Sequence, residues 1–423
     1  MTALSSYAAT AACLLLLITS LASADNAVIV FNNQAQGRVR EQGIQNQISA
    51  KVYALTHIAQ LLAVDETASE KVQAAQAAYA GHTVLNLLFP WAFYKHDAAL
   101  KNFTTSLSPQ EKAAASQAGR AAGLAVVADR LDDGFDKWVS FTPAPANGPV
   151  GAYQFTPNQT YALYPQLANV TTILLPANQS APSTPPASQF SSKAEIITQP
   201  WGISPLTVSS SEYTTELQQV FTLGKKGGTN QTNIDTANFW ADGNTTSTVT
   251  GHWNQIAQAV IPANISTAEA ALLFARLNAA VWDASIVGWG VKYSVLFWRP
   301  ITAIRQGDGI AANSAFVDAN WTPTLATPPH PEYPSGHSIS SGAAAGVLAN
   351  YFGTDEVPFT IGTEFPGLSP RSYSSFSQAV DEVGYSRVVG GIHFNRAVVD
   401  GATLGYKVAD YIDEYLSKAA LAS

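Results

Sequence analysis

Two of the seven histidines in this 423-residue sequence, His330 and His337, stand seven apart in PPHPEYPSGHSISSGAAAGVLANYFG (328–353). There a rigid proline-rich run turns into a small-residue apolar helix. A helix N-terminus presents unpaired backbone N–H groups and the positive end of a dipole, so it takes anions readily. Ser335 and Gly336 would offer a hydroxyl and an unobstructed N–H, with His337 beside the anion. Cations to complete such a site are scarce, because only 12% of the residues are charged. Lys292 and Arg299 are candidates. Their spacing is nearly two helical turns, so both are expected on one face of one helix, which Pro300 would end. Near the C-terminus, Ser386 and Arg387 precede a Gly390–Gly391 break and then His393. The blocks K-x6-RP, PSGH and SR-x5-H would thus supply three cations, a hydroxyl, a glycine N–H and two imidazoles. That set makes a cage for a compact tetrahedral oxyanion.

Helices must carry these groups. Apolar and polar residues alternate in helical fashion over 40–62 and 66–88, and Phe89-Pro90 stops the second run. Ser108-Pro109-Gln110-Glu111 is a capping box with proline at the first helical position, opening a helix to about Asp129. Ser266-Thr267-Ala268-Glu269 is a second box and starts a long helix that runs to Pro300, with Gly288 and Gly290 expected to loosen its last turns. Ser335 begins the next, closed by Gly353, and helices are expected at 374–388 and 397–417. Residues 141–208, rich in Pro, Ser, Thr and Asn, read as a long surface excursion within a single domain. No internal repeat is evident, and the fold class is all-α.

The net charge of −8 and the lack of any basic run argue against nucleic acid or an anionic membrane as partner. The N-terminus reads as a signal peptide over 1–24, with an apolar core from Leu14 to Ile18 and an Ala22-Ser23-Ala24 cleavage site. No later stretch reads as a membrane span. Eight N-x-[ST] sequons, at Asn102, Asn158, Asn169, Asn178, Asn230, Asn244, Asn264 and Asn320, fit a secreted, glycosylated product. The sole cysteine, Cys13, and the sole methionine, Met1, lie in the leader, leaving a mature chain without the two most readily oxidised side chains. Chance composition would give the same pattern, and nine Trp and sixteen Tyr remain.

The three blocks resemble the signature shared by acid phosphatases of the phosphatidic-acid phosphatase type 2 superfamily and the vanadium-dependent haloperoxidases. FWADGNTTSTVTGHWNQIA (239–257) and LNAAVWDASIVGWGVKYSVLFWRPITAIR (277–305) resemble the soluble haloperoxidase-like branch. The resemblance runs unevenly from about residue 40 to 416, weakest over 141–208, with the anion-site core at 285–405. It implies helices built around two four-helix bundles, with the site at one end. It also implies vanadate as cofactor, one vanadium per chain, coordinated by His393. Lys292, Arg299, Ser335, Gly336 and Arg387 would neutralise its oxygens. His337 would act as acid–base toward hydrogen peroxide, Lys292 would polarise the bound peroxide, and halide would be oxidised to hypohalous acid that halogenates a small organic acceptor. Asp242 is the candidate acceptor steadying Arg387.

Vanadate and phosphate share shape and charge, so the signature alone does not separate the two activities. The resemblance places a histidine at the His330 position in bromide-oxidising enzymes and an aromatic residue in chloride-oxidising ones. The phosphatase pattern has an orienting Asp four residues after the nucleophilic histidine, where this chain has Ala397, with an acid only at Asp400. A haloperoxidase is therefore the expectation. The alternative is a secreted acid phosphatase with a phosphohistidine at His393, and a third class is a binding protein with a degenerate site. His57, His82 and His96 are expected to be structural, and His252 has no assigned role.

Overall fold

The computed structural model describes residues 26–175, 202–417 and 421. The leader, its cleavage site, Cys13 and the Asn178 sequon lie outside them. Among the described residues the regular structure is helical apart from one short antiparallel pair, Phe359–Ile361 with Arg371–Tyr373, and a few isolated bridges. Its axis is the helix Thr267–Val295, started by Ser266, whose side chain accepts from the Glu269 N–H. One side of this helix packs on Asn46–Ala63, which with Ala27–Gln42, Glu70–Leu88 and Pro109–Asp129 makes an N-terminal bundle. The other side packs on Gly336–Phe352 and Asn395–Tyr415, which with Phe376–Val389 make a C-terminal one.

Thr267–Val295 is long and apolar enough to cross a membrane, contrary to the expectation from the sequence, but 89% of its most apolar window is buried by the two bundles. It is a core helix, apolar all round because it is covered all round. Gly288 does not loosen it. A Cβ there would meet Ile339 at 2.4 Å, so the glycine lets the helix Gly336–Phe352 close in.

Other boundaries moved for physical reasons. The expected helix over 40–62 is two helices, because Gly43 takes the left-handed conformation and caps Ala27–Gln42. The Ser108 box forms with both of its hydrogen bonds. The long helix ends at Val295, with Leu296 left-handed, and Pro300 opens the next helix, Pro300–Gln306, at its first position. Arg299 is therefore the N-cap of a new helix and does not share a helical face with Lys292.

The stretch read as a surface excursion is, in its described part, fastened to the core. Asp283, fully buried, accepts the N–H groups of Ile173, Leu174 and Leu175 at 2.7, 3.0 and 3.2 Å. The Tyr153 N–H donates to Leu296 O, and the Leu163 N–H to Pro329 O. The segment satisfies part of its backbone by lying against the end of the molecule where the K-x6-RP and PSGH blocks meet.

The closest helix pair is Gly336–Phe352 against Asn395–Tyr415, which carry PSGH and follow His393. A Cβ at Gly405 would come within 2.3 Å of Ile339 O, and one at Gly342 within 2.4 Å of Ala402 O. Backbone cannot yield as a side-chain tip can. Gly405→Ala is predicted to cost about 3 kcal/mol, the upper end for overpacking. Gly290→Ala, in open space, should be neutral or slightly stabilising. Thermal unfolding of both variants checks the contrast.

Candidate active site

The PSGH helix starts at Gly336 with Ser335 as N-cap. The Ser335 oxygen accepts from the Ser338 N–H and hydroxyl, so this hydroxyl caps the helix and does not border the cavity. The Ser335 N–H donates to Ala397 O, tying the two site helices together. Gly336 does border the cavity. A Cβ there would stand 3.2 Å from the Trp289 ring, so only glycine keeps this end of the helix open.

Lys292 is wholly buried beneath the 331–334 loop. Its Nζ donates to the carbonyls of Pro331 and Glu332, both at 3.0 Å, and of Pro334. With no carboxylate in bonding reach, the ammonium is solvated by backbone oxygens. Burial, then Arg299, hold its pKa well below the usual lysine value, against the pull of Glu332. It therefore lies behind the cavity wall and not at its surface, in contrast to the expected contact with the anion. Its charge still acts on His393, His330 and His337.

Arg299, also fully buried, joins the two imidazoles. Its Nε donates to His330 O, and its two terminal nitrogens reach His330 Nδ1 at 3.0 Å and His393 Nε2 at 3.1 Å. An arginine only donates, so His393 Nε2 must present a lone pair, whereas His330 Nδ1 also stands 3.2 Å from Pro331 O and its proton is not fixed by Arg299. The His393 proton therefore sits on Nδ1, which bonds Glu332 Oε1 at 2.9 Å. Burial, reinforced by Arg299, Lys292, His330 and Arg387, keeps His393 neutral. Glu332, buried as well, is raised to about 8 by burial, against Arg299, the Phe394 N–H and Lys292.

On the opposite side, Arg387 donates to Ser386 Oγ, Trp240 O and Ala237 O. His337 Nε2 lies 3.2 Å from Ala241 O. A carbonyl only accepts, so Nε2 carries the proton and Nδ1 is the basic nitrogen. Burial, then the Arg387 guanidinium, press His337 down to about 3. Burial lowers both Arg299 and Arg387 to about 10, still charged at neutral pH.

Asp242 corrects the reading of its role. It makes no hydrogen bond to Arg387, because that guanidinium is taken by the carbonyls of the turn. Left-handed at φ 43°, Asp242 bonds His252 Nδ1 at 3.1 and 3.2 Å, and the His252 ring stacks on Trp240 at 4.6 Å. His252 thereby gains a role as counter-ion. Asp242 feels the Arg387 charge only through space.

A cavity of about 490 Å³ joins these groups, bordered by His330, Gly336, His337, Arg387 and His393 and closed by Trp289, Tyr161, Leu163 and Leu325. Of the expected site residues, the fold brings His330, His337, His393, Arg387 and Gly336 to this cavity, holds Arg299 and Lys292 behind it, and leaves Ser335 inside its helix. The donor set suits a four-oxygen anion: three buried cations, a helix N-terminus opened by Gly336, and one neutral imidazole with a lone pair. Vanadate fits these residues. Sequence reasoning missed Glu332, whose signal was an acid inside an otherwise apolar, proline-rich block. It also missed Tyr161 and Leu163, which came from the segment read as an excursion. His82 and His96 bond Asp97 and Asn86, and His57 lies between Gln60 and Asn32, all away from the cavity.

The Asp242–His252 pair gives a pH prediction. Burial is the largest influence on each and works against both charges, but the partner together with the surrounding groups outweighs it, so His252 is raised above 6.5 and Asp242 lowered below 3.8. The raised His252 stabilises fully below 6.5 and loses that contribution as pH rises through its folded value. The lowered Asp242 stabilises above 3.8 and loses its contribution as pH falls through its folded value. His252→Asn should therefore cost most, about 3 kcal/mol, between pH 4 and 6.5, and less on either side. Thermal unfolding of both proteins from pH 3 to 9 checks this, and a pH-independent difference contradicts it.

Comparison with known proteins agrees with the geometry. A family model described as the VCPO second helical-bundle domain matches residues 272–420. The vanadium chloroperoxidase of Curvularia inaequalis is 32% identical over 94 residues, 21% of this chain, and the match spans only 15% of that relative's length. The crystal structure of a bacterial vanadium-dependent iodoperoxidase superposes with a TM-score of 0.73 at 25% identity, covering 92% of this chain and 97% of that one. A bacterial vanadium-dependent chloroperoxidase in its apo form gives 0.61 at 16% identity, covering 86% and 91%. The chain has the helical-bundle fold seen in the vanadium haloperoxidases, and its residues 272–420 match the VCPO second helical-bundle domain.

Proposed function

We propose that this protein is a secreted vanadate-dependent haloperoxidase that uses hydrogen peroxide to oxidise bromide, in the balance H2O2 + Br⁻ + H⁺ → HOBr + H2O. The observation that carries the reading is His393, with Nδ1–H held on Glu332 and its Nε2 lone pair turned to Arg299 at the cavity. That is the tautomer a metal-binding imidazole requires. When bound, vanadate supplies a Lewis-acid centre that activates peroxide without changing its own oxidation state. The chain does the rest. His393 Nε2 would anchor the group, and Arg387 and the open end of the Gly336 helix would neutralise its oxygens, with Arg299 adding its charge from behind the cavity wall. Lys292 adds charge from behind and holds the 331–334 loop. His337, with Nδ1 unprotonated at the cavity, would be the group that moves the peroxide proton, its basicity raised when a bound anion offsets burial and the Arg387 charge.

Bromide preference is supported by His330. It borders the cavity, with its Nδ1 between Arg299 and the Pro331 carbonyl. Secretion and glycosylation are supported by the leader-like N-terminus and by the sequons, since all seven sequon asparagines within the described residues are exposed. Enzymatic deglycosylation of protein from a eukaryotic secretory host should lower its mass by whole glycan units.

One observation favours a second reading. The absence of an acid at Ala397 counted against a phosphatase, but Glu332 orients His393 from another segment, so a nucleophilic imidazole is not unsupported. The assay separates the two. Loaded with orthovanadate, the enzyme should brominate a dimedone-type acceptor with peroxide, lose activity in excess phosphate, and fall to background in His393→Ala. His330→Phe should raise the ratio of chloride to bromide turnover. Strong phosphomonoester hydrolysis with no halogenation would instead identify a phosphatase.

A further inference from the structure

We propose that Glu332 is the positioning residue of His393, fixing its ring and tautomer from a different sequence block. The inference rests on the anion-site reading of His393 and deepens it. The Glu332 backbone is held on both sides: its N–H donates to Phe297 O at 3.0 Å, and its carbonyl accepts from Lys292 Nζ at 3.0 Å. The carboxylate so placed is 1% exposed. One oxygen, Oε1, accepts from both His393 Nδ1 and the Phe394 N–H, each at 2.9 Å. The acceptor is thus locked to the very backbone that carries the ring, and rotating the imidazole would forfeit the bond. Among the described residues no other carboxylate bonds His393. Ala397, four residues after His393, has none, and Asp400 is engaged by the Tyr333 hydroxyl at 2.5 Å and the Ser204 N–H at 3.2 Å. Lys292 acquires a further part here, because its ammonium holds the loop that carries Glu332.

Two substitutions separate positioning from mere charge balance. In Glu332→Gln the shared Phe394 N–H requires the amide oxygen, not its NH2, at the Oε1 position. Gln therefore still accepts from Nδ1–H and keeps the tautomer while removing the charge that Glu332 carries only above a pH of about 8. Glu332→Leu removes the acceptor. ¹⁵N spectra of histidine-labelled full-length protein, assigned with His393→Gln, read the tautomer directly, and titration with inorganic phosphate reads the site.

The wild type should show His393 protonated on Nδ1. Glu332→Gln should show the same, with phosphate affinity within a few-fold. Glu332→Leu should lose the single tautomer and bind phosphate about 10- to 100-fold more weakly. A wild-type or Glu332→Gln ring protonated on Nε2 overturns the proposal. So does a Glu332→Leu protein with unchanged tautomer and affinity. Should Glu332→Leu fail to fold, the other two spectra decide. A wild type that binds no phosphate or vanadate would refute the proposed function, while the spectra would still decide the role of Glu332.

Discussion

The structure depends on keeping three cations, Lys292, Arg299 and Arg387, dry in a charge-poor interior. Burying an ion costs several kcal/mol even after relaxation, and unpaired burial costs more. The fold does not offset this with carboxylates one for one. Glu332 and Asp242 are the acids closest to the cavity among the described residues, and both are bonded to histidines. The cations are solvated mainly by carbonyl oxygens, of Pro331, Glu332 and Pro334 for Lys292, of His330 and Ile392 for Arg299, and of Ala237 and Trp240 for Arg387. Carbonyls satisfy N–H donors without cancelling charge. The cavity therefore retains a positive potential that an anion can relieve, and electrostatic preorganisation of this kind costs nothing at the moment of reaction.

That constraint explains the architecture around it. Carbonyls are free to serve only where helices end or loops turn, and each cation sits at such a place. Arg299 caps Pro300–Gln306, Arg387 ends Phe376–Val389, and the 331–334 loop runs into the PSGH helix. Those ends must meet within a hydrogen bond of one another. Glycine contacts between Gly336–Phe352 and Asn395–Tyr415 bring two of them into register, and Thr267–Val295 fixes Lys292 against both. The N-terminal bundle lies on the far side of that helix and secures it. Asp283, on the same helix, draws in the 171–175 segment, and Tyr161 and Leu163 earlier in that stretch help close the cavity.

Much of this was legible in the sequence, and the exceptions have a common cause. The capping box at Ser108 and the N-cap at Ser335 are local, with donor and acceptor within four residues, and both appear as read. Residue type made the groups gathered around the cavity legible, but the helical spacing of Lys292 and Arg299 did not, because they stand on different helices. Arg299 was placed on the wrong element because proline both ends and starts helices, and only the course of the chain decides which. Glu332 and His393 lie 61 residues apart, and Asp242 found His252 instead of Arg387; such pairings are set by packing, which leaves no periodic trace. The all-round apolar helix Thr267–Val295 has no amphipathic face from which its partners could be inferred.

The central claim is that these groups form one preorganised anion cup centred on the Nε2 of His393. Calorimetric titration of the metal-free protein with orthovanadate tests it most directly. The account predicts saturable binding of one vanadate per chain, weakened at least about 100-fold in His393→Ala and competed by phosphate, with the variant still folded. No saturable binding by the folded wild type, or equal binding by His393→Ala, would contradict it.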